Sequence, residues 1–360
     1  VTADIKVIHA DSRDALKTIA ENSLDSCVTD PPYALVSTLK RFGNTDAAKE
    51  KPKNHQYSRL SRGFMGEKWD NGDTAFDPLF WVQVYRVLKP GAFLLAFSGT
   101  RTYHRMAIAI DDAGFEIRDQ IGWAFGSGFP KSHNQKGDWK GWGTALKPAW
   151  EPICMARKPL IGTVAENLAE HGTGAINIEG CRVPIDESAD ASQVRTMQRS
   201  RREGGDGWGM STVVGGAQQV VRPEGRWPAD IIHDGSEEVQ AAFPDAARFF
   251  YTAKADADDR LGSGHPTVKP VDLMQYLVRL VTPPGGTTLD PFAGTGTTGE
   301  AAWREGVNSV LIEREAKFIK DIDRRVRLLT SGAGERKRES AKAKNADKPE
   351  DHGPLFGKDE

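Results

Sequence analysis

The chain has 360 residues, 38% of them hydrophobic, and carries 48 Lys and Arg against 50 Asp and Glu for a net charge of −2. That length buries a substantial core without covalent staples, and the charge balance excludes a generally basic, nucleic-acid-coating protein, so any positive surface is local. No apolar run approaches the roughly 20 residues that cross a bilayer, no secretory leader pattern opens the chain, and Cys27, Cys154 and Cys181 form no CxxC pair. This argues against a disulfide framework and a thiolate metal site and leads us to expect a soluble, cytoplasmic protein without a metal.

In chain order, residues 5–9 read as a strand and 13–21 as a helix. Residues 24–29 form a second strand that ends at Asp30-Pro31-Pro32-Tyr33, the carboxyl end at which an open α/β sheet presents ligands. Residues 34–73 are polar, with little periodicity, and read as an active-site loop. A helix over 76–88 carries Phe80, Val84, Val87 and Leu88 on one stripe. Lys89-Pro90-Gly91 stops it, and 92–97 has the apolar density of a buried parallel strand. A helix over 103–113 and a strand over 115–123 follow, then a Gly- and aromatic-rich loop from Phe125 to Lys131 and a returning strand over 150–155. The return loop interleaves Lys136, Trp139, Lys140, Trp142 and Lys147, a pattern that suits stacking beside a phosphate backbone and equally suits pinning an irregular loop.

Residues 161–230 interrupt the α/β rhythm, with short apolar pieces at 175–178 and 229–232. Between them Arg195, Arg199, Arg201 and Arg202 form either a loop that contacts phosphates and base edges or a merely solvated one. Phe249-Phe250-Tyr251 is a short strand or an aromatic wall. The alternation resumes with a helix over 272–280, a strand over 287–290, a helix over 297–305 and a strand over 308–313. From 331 onward almost no apolar residue precedes Leu355, and the composition predicts a disordered tail.

Two motifs carry the chemistry. Asp290-Pro291-Phe292-Ala293-Gly294-Thr295-Gly296-Thr297-Thr298-Gly299 contains GxGxxG between a strand and a helix, where backbone approaches a nucleotide-like ligand. The absence of Gly-Lys-Ser/Thr excludes a Walker loop. Glu313 ends the next strand 19 positions after Gly294, where a carboxylate can accept from both ribose hydroxyls, an arrangement that serves NAD and S-adenosylmethionine alike. Hydride transfer needs a nicotinamide site with its own acid or base, and no such constellation stands out. Asp30-Pro31-Pro32-Tyr33 instead offers acceptors and an aromatic plate to a planar amine. The Asp30 carboxylate and the Pro31 carbonyl can each accept one amine hydrogen, the prolines fix the turn, and Tyr33 can stack on an extruded base. A sulfonium electrophile is already activated, so this chemistry needs positioning rather than a metal. One catalytic domain is thus expected from both chain ends, around a long middle insertion.

With these motifs in this order, the chain resembles the beta-arranged amino methyltransferases of DNA over about residues 4–325. The resemblance implies an α/β, Rossmann-like methyltransferase sheet with circularly permuted motif order and an inserted target-recognition region. Its parts would be a first catalytic part at 1–157, recognition at 158–248, a second catalytic part at 249–330 and the tail at 331–360. It implies S-adenosyl-L-methionine as cofactor. Asp11 would accept from its adenine amine, and Thr267 and Lys269 of His265-Pro266-Thr267-Val268-Lys269-Pro270 would face its methionine carboxylate. Phe292 would line the pocket, and Asp290, Ala293, Gly294, Gly296, Thr297, Thr298 and Glu313 would complete it with His265. Catalysis would fall to Asp30, Pro31, Pro32 and Tyr33, and DNA contact to Lys131, Trp139, Lys140, Arg195, Arg199, Arg201 and Arg202. Asp rather than Ser at position 30 looks like the adenine N6 subgroup, although a carboxylate would also serve cytosine N4. Asn there would have pointed to protein glutamine or ribosomal RNA. Double-stranded DNA as partner, a homodimer on a palindrome, and a companion restriction nuclease that is neither required nor visible follow from the same likeness. A dinucleotide-dependent oxidoreductase and a non-catalytic DNA-binding module remain the competing readings.

Overall fold

The apolar runs pair into one nine-stranded sheet among the residues that the computed structural model describes, namely 3–33, 74–128, 132–184, 225–243, 247, 250–253, 257–265 and 267–346. The strands are β1 (Ile5–His9), β2 (Leu24–Thr29), β3 (Leu88–Phe97), β4 (Glu116–Ala124), β5 (Trp150–Arg157), β6 (Ile231–His233), β7 (Tyr251–Thr252), β8 (Thr287–Asp290) and β9 (Asn308–Glu313). Their spatial order is β1-β9-β8-β2-β3-β5-β4-β6-β7. Strands from the end of the chain, β8 and β9, therefore sit between two from its beginning, the permuted arrangement implied by the motif order. Only β5 runs against the rest. In consequence the ends of β1, β2, β3, β4, β8 and β9 and the start of β5 lie along one edge of the sheet.

Successive β3 side chains point to opposite faces, as strand geometry requires. Leu94 and Ala96 join one apolar layer with Leu16, Trp81, Val84 and Ile110, whereas Phe93, Leu95 and Phe97 join the other with Leu273, Met274, Leu277 and Val278. The first layer is roofed by α2 (Pro78–Val87) and α3 (Tyr103–Asp112), the second by α6 (Val271–Val281). Helix α2 starts two residues later than its apolar stripe predicts, because the Asp77 carboxylate accepts from the Leu79 amide and Pro78 occupies the first helical position. Its carboxyl end passes directly into β3, so Lys89, Pro90 and Gly91 are strand rather than a stop. Lys89 pairs with Asp25 at 2.6 Å, and the Pro90 carbonyl accepts from Asn167 and Thr173.

Five further elements differ from the sequence reading. The helix expected over 13–21 is only α1 (Ser12–Ala15) and a 3-10 turn (Leu16–Thr18), since Ile19 is already extended and Asn22 takes a φ of +50 to turn the chain into β2. Within the interrupted region, α4 (Val164–His171) forms behind a capping box in which Thr163 and Glu166 exchange hydrogen bonds. A short α5 (Glu237–Ala242) follows β6, and α8 (Ala316–Arg327) follows β9. The segment expected as a disordered tail contains α9 (Ala333–Ala346).

An ion pair and a close backbone contact secure α9. Arg336 reaches Glu300 of α7 (Thr297–Arg304) at 2.8 Å, where the almost fully buried carboxylate also pairs with Arg304 at 2.8 Å and with buried Arg325 at 2.6 Å. Gly262, at a φ of +78, lets the helix lie on its backbone. A Cβ there would stand 2.4 Å from the Ser340 carbonyl oxygen. No described helix is long and apolar enough to cross a membrane. Removing the Glu300 carboxylate leaves three arginines without it, one of them deeply buried. We therefore expect Glu300→Ala to lower the unfolding free energy by about 3–5 kcal/mol, measured by urea titration. A change under about 1 kcal/mol would contradict the role given to this network.

Candidate active site

The sheet builds the site at a place where neighbouring strands send the chain in opposite directions. From β8 the chain passes through α7 to β9 on one side, and from β2 it continues to β3 on the other. A crevice opens at such a switch point. Strands β2 and β8 pair through Ser26 with Thr288 and Cys27 with Leu289, so Asp30 and Asp290 leave the sheet side by side.

Asp290 ties the two ends together. One oxygen accepts from the Thr29 hydroxyl at 2.7 Å and the Phe292 amide at 3.1 Å, and the other accepts from the Thr298 hydroxyl at 2.5 Å. Burial, with some help from the like charge of Asp30, pushes its carboxyl up to about 6 against those hydrogen bonds. Thr29 and Thr298 thereby hold both oxygens of a residue expected to bind cofactor, and Asp290 braces the site while lining the cleft. Ser12, not anticipated from the sequence, adds a second tie by donating its hydroxyl to the Pro291 carbonyl.

The glycine turn has the shape that its spacing predicts. Gly294 and Gly296 take φ values of +52 and +78, and a Cβ on Gly299 would stand 2.6 Å from Leu311, so only glycine permits this turn and the close seating of α7 on β9. A Cβ on Gly294 would stand 3.3 Å from the His265 Nε2. The His265 ring is held edge-on to Phe318, its Nδ1 accepts from the Thr267 amide at 3.2 Å, and burial lowers its pKa to about 4, so the imidazole is neutral. Ala293 is buried beneath the turn and Phe292 rests on Phe80. Glu313 accepts from the Gly294 amide at 2.8 Å and the Glu315 amide at 2.7 Å, and burial pushes its carboxyl up to about 7 despite those amides. Asp11 caps α1 and is gripped by Arg13 through two contacts of 3.0 and 2.7 Å, which, with burial opposing, hold its carboxyl below the usual range.

Across the crevice, Thr102 donates to the Tyr33 carbonyl at 3.0 Å and fixes the turn that follows β2. Lys269, which the resemblance puts at the cofactor carboxylate, lines the cleft and is paired within it. Its buried ammonium lies 3.1 Å from Asp30 and 3.0 Å from Glu151, over the rings of Phe97 and Tyr33. Burial works against that charge, but the two carboxylates outweigh it and hold the lysine pKa above its ordinary value. The Tyr33 hydroxyl donates to Asp30 at 2.6 Å and also contacts Glu151. Burial, reinforced by those carboxylates, drives its pKa far up, so the phenol stays neutral. Glu151 gave no sequence signal beyond being a lone carboxylate at the start of an apolar strand.

All twelve residues expected at the cofactor, except Gly296, line one cleft together with Asp30, Pro31, Pro32 and Tyr33. Gly296 lies within the same turn. A backbone turn at a helix N-terminus, a buried carboxylate on the next strand and a wall of Phe292 and Phe318 fit a nucleoside with a charged tail. Of the residues expected on DNA, Trp139 and Lys140 stand in the loop between β4 and β5, at the sheet edge that carries Asp30. Trp139 and Trp142 are 61% and 64% exposed and meet edge to face at 5.4 Å. Lys131, Arg195, Arg199, Arg201 and Arg202 lie outside the described residues.

A DNA methylase family model matches residues 24–324. Over 327 residues the chain is 24% identical to the type II methyltransferase M.HindIII of Haemophilus influenzae, covering 82% of this chain and 86% of that protein. Among solved structures it is similar to the PvuII DNA methyltransferase, described as cytosine-N4-specific, at 15% identity and a TM-score of 0.49 over 96% of this chain and 95% of that one. It is also similar to M1.HpyAVI in complex with S-adenosylmethionine, at 15% identity and a TM-score of 0.42 over 89% and 99%. With the family model spanning both motif-bearing ends and the region between them, the chain belongs to the DNA methylase family, and its cofactor is S-adenosyl-L-methionine.

Proposed function

We propose that the protein is a site-specific DNA adenine N6-methyltransferase acting in the cytoplasm. The observation that carries the reading is that the Asp30 carboxylate and the glycine turn open onto one cleft. When bound, S-adenosylmethionine supplies a methyl group on a positively charged sulfur. The chain's own residues do the rest. Asp30 and the Pro31 carbonyl accept the hydrogens of the exocyclic amine, drawing its lone pair out of the ring, and the Tyr33 ring receives the face of the unstacked base; as the nitrogen takes the methyl group from sulfur, leaving the neutral thioether, one amine proton passes by way of Asp30 to solvent. Asp11 and Glu313 hold the nucleoside end of the cofactor, Thr297 and the turn amides its polar groups, and Phe292 its planar ring. The carboxylate at position 30 supports the adenine reading without excluding cytosine N4.

For DNA contact, the exposed Trp139 and Trp142 with Lys136 and Lys140 provide stacking plates and cations at the same edge as Asp30. The arginines Arg195, Arg199, Arg201 and Arg202, with Lys131, belong to the same proposed surface by their sequence alone. A homodimer would let two such surfaces read a palindrome.

Labelled cofactor and mixed-sequence duplex DNA should yield label on adenine N6, read by nucleoside chromatography, and label on cytosine N4 would reject the adenine assignment. Asp30→Ala should cut turnover by at least about 100-fold while cofactor affinity, by calorimetry, stays within about threefold; retained turnover would remove Asp30 from the mechanism. The triple variant Trp139→Ala, Lys140→Ala, Trp142→Ala should weaken DNA binding about tenfold or more and leave cofactor binding unchanged; undiminished DNA affinity would place the interface elsewhere. Ribose hydroxyls favour the ionised form of Glu313, so with its carboxyl at about 7 in the free protein, cofactor affinity should rise about five- to tenfold from pH 6 to pH 8. Glu313→Gln should abolish the slope, and a wild-type profile that is flat or falls would contradict the ribose role.

A further inference from the structure

Asp30 is asked to stabilise an amine that becomes positive as it takes the methyl group, yet it sits 3.1 Å from an ammonium. On their own, Asp30 and Lys269 form a neutral pair, and the positive partner would oppose the charge that develops on nitrogen. The structure supplies the missing charge. Glu151, at the start of β5, places Oε1 3.0 Å from the same ammonium, and the Tyr33 hydroxyl reaches both carboxylates. The four side chains enter from three elements, β5, the turn after β2 and the segment before α6, and each is largely buried. With Lys269 positive and Tyr33 neutral, two carboxylates leave the cluster at a net charge of −1, and water cannot screen it as it would at a surface.

We propose that Glu151 is a positioning residue for methyl transfer, which holds the Lys269 ammonium and the Tyr33 hydroxyl so that an Asp30 oxygen and its negative charge are available to the entering amine. This rests on the amino-methyltransferase reading. Lys269 and the Tyr33 hydroxyl each touch Asp30 and Glu151 at once, so when the amine's hydrogens arrive at Asp30, both can stay with Glu151 and no donor is stranded. Glu151 itself is not among the residues that line the cleft. Its effect is electrostatic and orientational, and it belongs to the transfer step rather than to binding.

The test is single-turnover transfer from labelled S-adenosylmethionine to unmethylated mixed-sequence duplex DNA, with cofactor and DNA affinities measured in parallel. Wild-type transfer to a DNA amine is the control, because its absence would defeat the activity reading before Glu151 is examined. With the control in hand, Glu151→Gln should slow transfer about 10- to 100-fold while both affinities stay within about threefold, and Glu151→Asp should recover part of the rate. The diagnostic variant is the double replacement Glu151→Gln with Lys269→Met. Removing the uncompensated ammonium restores the cluster's net charge, so this protein should transfer faster than Glu151→Gln alone. Transfer by Glu151→Gln within twofold of wild type would overturn the proposal. So would a double variant no faster than the single one, or a rate loss matched by an equal loss of cofactor affinity. Should Glu151→Gln fail to fold, Glu151→Asp and the double variant, ranked against wild type, carry the same comparison.

Discussion

The Asp290 carboxylate is the constraint on which the site depends, because one buried group receives hydrogen bonds from Thr29 before the catalytic turn, from Thr298 in the first turn of the helix after the glycine loop, and from the Phe292 amide between them. Segments 261 positions apart in the chain, Thr29 and Asp290, are thereby held in contact. A carboxylate this deeply buried is costly unless its lone pairs are filled. Losing a partner would leave part of that charge uncompensated, so Asp290, which itself lines the cleft, also fixes the separation of the two segments.

A second buried charge network supports the same turn from the far side. Arg325 donates to the Thr295 carbonyl at 2.8 Å and pairs with Glu300, while Arg336 brings the C-terminal helix onto that carboxylate. The glycine turn is therefore clamped between Asp290 beneath it and Arg325 beside it. This matters because glycines give a turn access to φ values near +52 and +78 but no rigidity of their own. The packing around the loop supplies preorganisation, and the open side of the turn is left for the ligand.

Much of this was legible in the sequence where a feature is local. The strands ending at Asp30, Asp290 and Glu313 follow from apolar density and the motifs that close them, and the glycine turn between strand and helix follows from its spacing. The permuted sheet was implied by the family resemblance that the motif order carries, and the strand order places β8 beside β2 accordingly. What could not be read depends on contacts between distant segments. Glu151 looks like any polar residue at a strand start until Lys269 and Tyr33 close on it. Nor does the motif around Lys269 record the two carboxylates that stand 3.0 and 3.1 Å from its ammonium. Composition predicts a disordered tail because it counts apolar residues, while the helix at Ala333–Ala346 is held by an arginine on a buried glutamate and by glycine at its contact point.

The central claim is that the two ends of the chain form opposite walls of one methyl-transfer cleft. The most direct measurement is ultraviolet cross-linking of labelled S-adenosylmethionine to the protein, followed by peptide mapping. The account predicts label on both the peptide containing Tyr33 and the peptide containing Phe292, suppressed together by excess unlabelled cofactor. Label confined to one of these peptides, or found on segments remote from both, would contradict it.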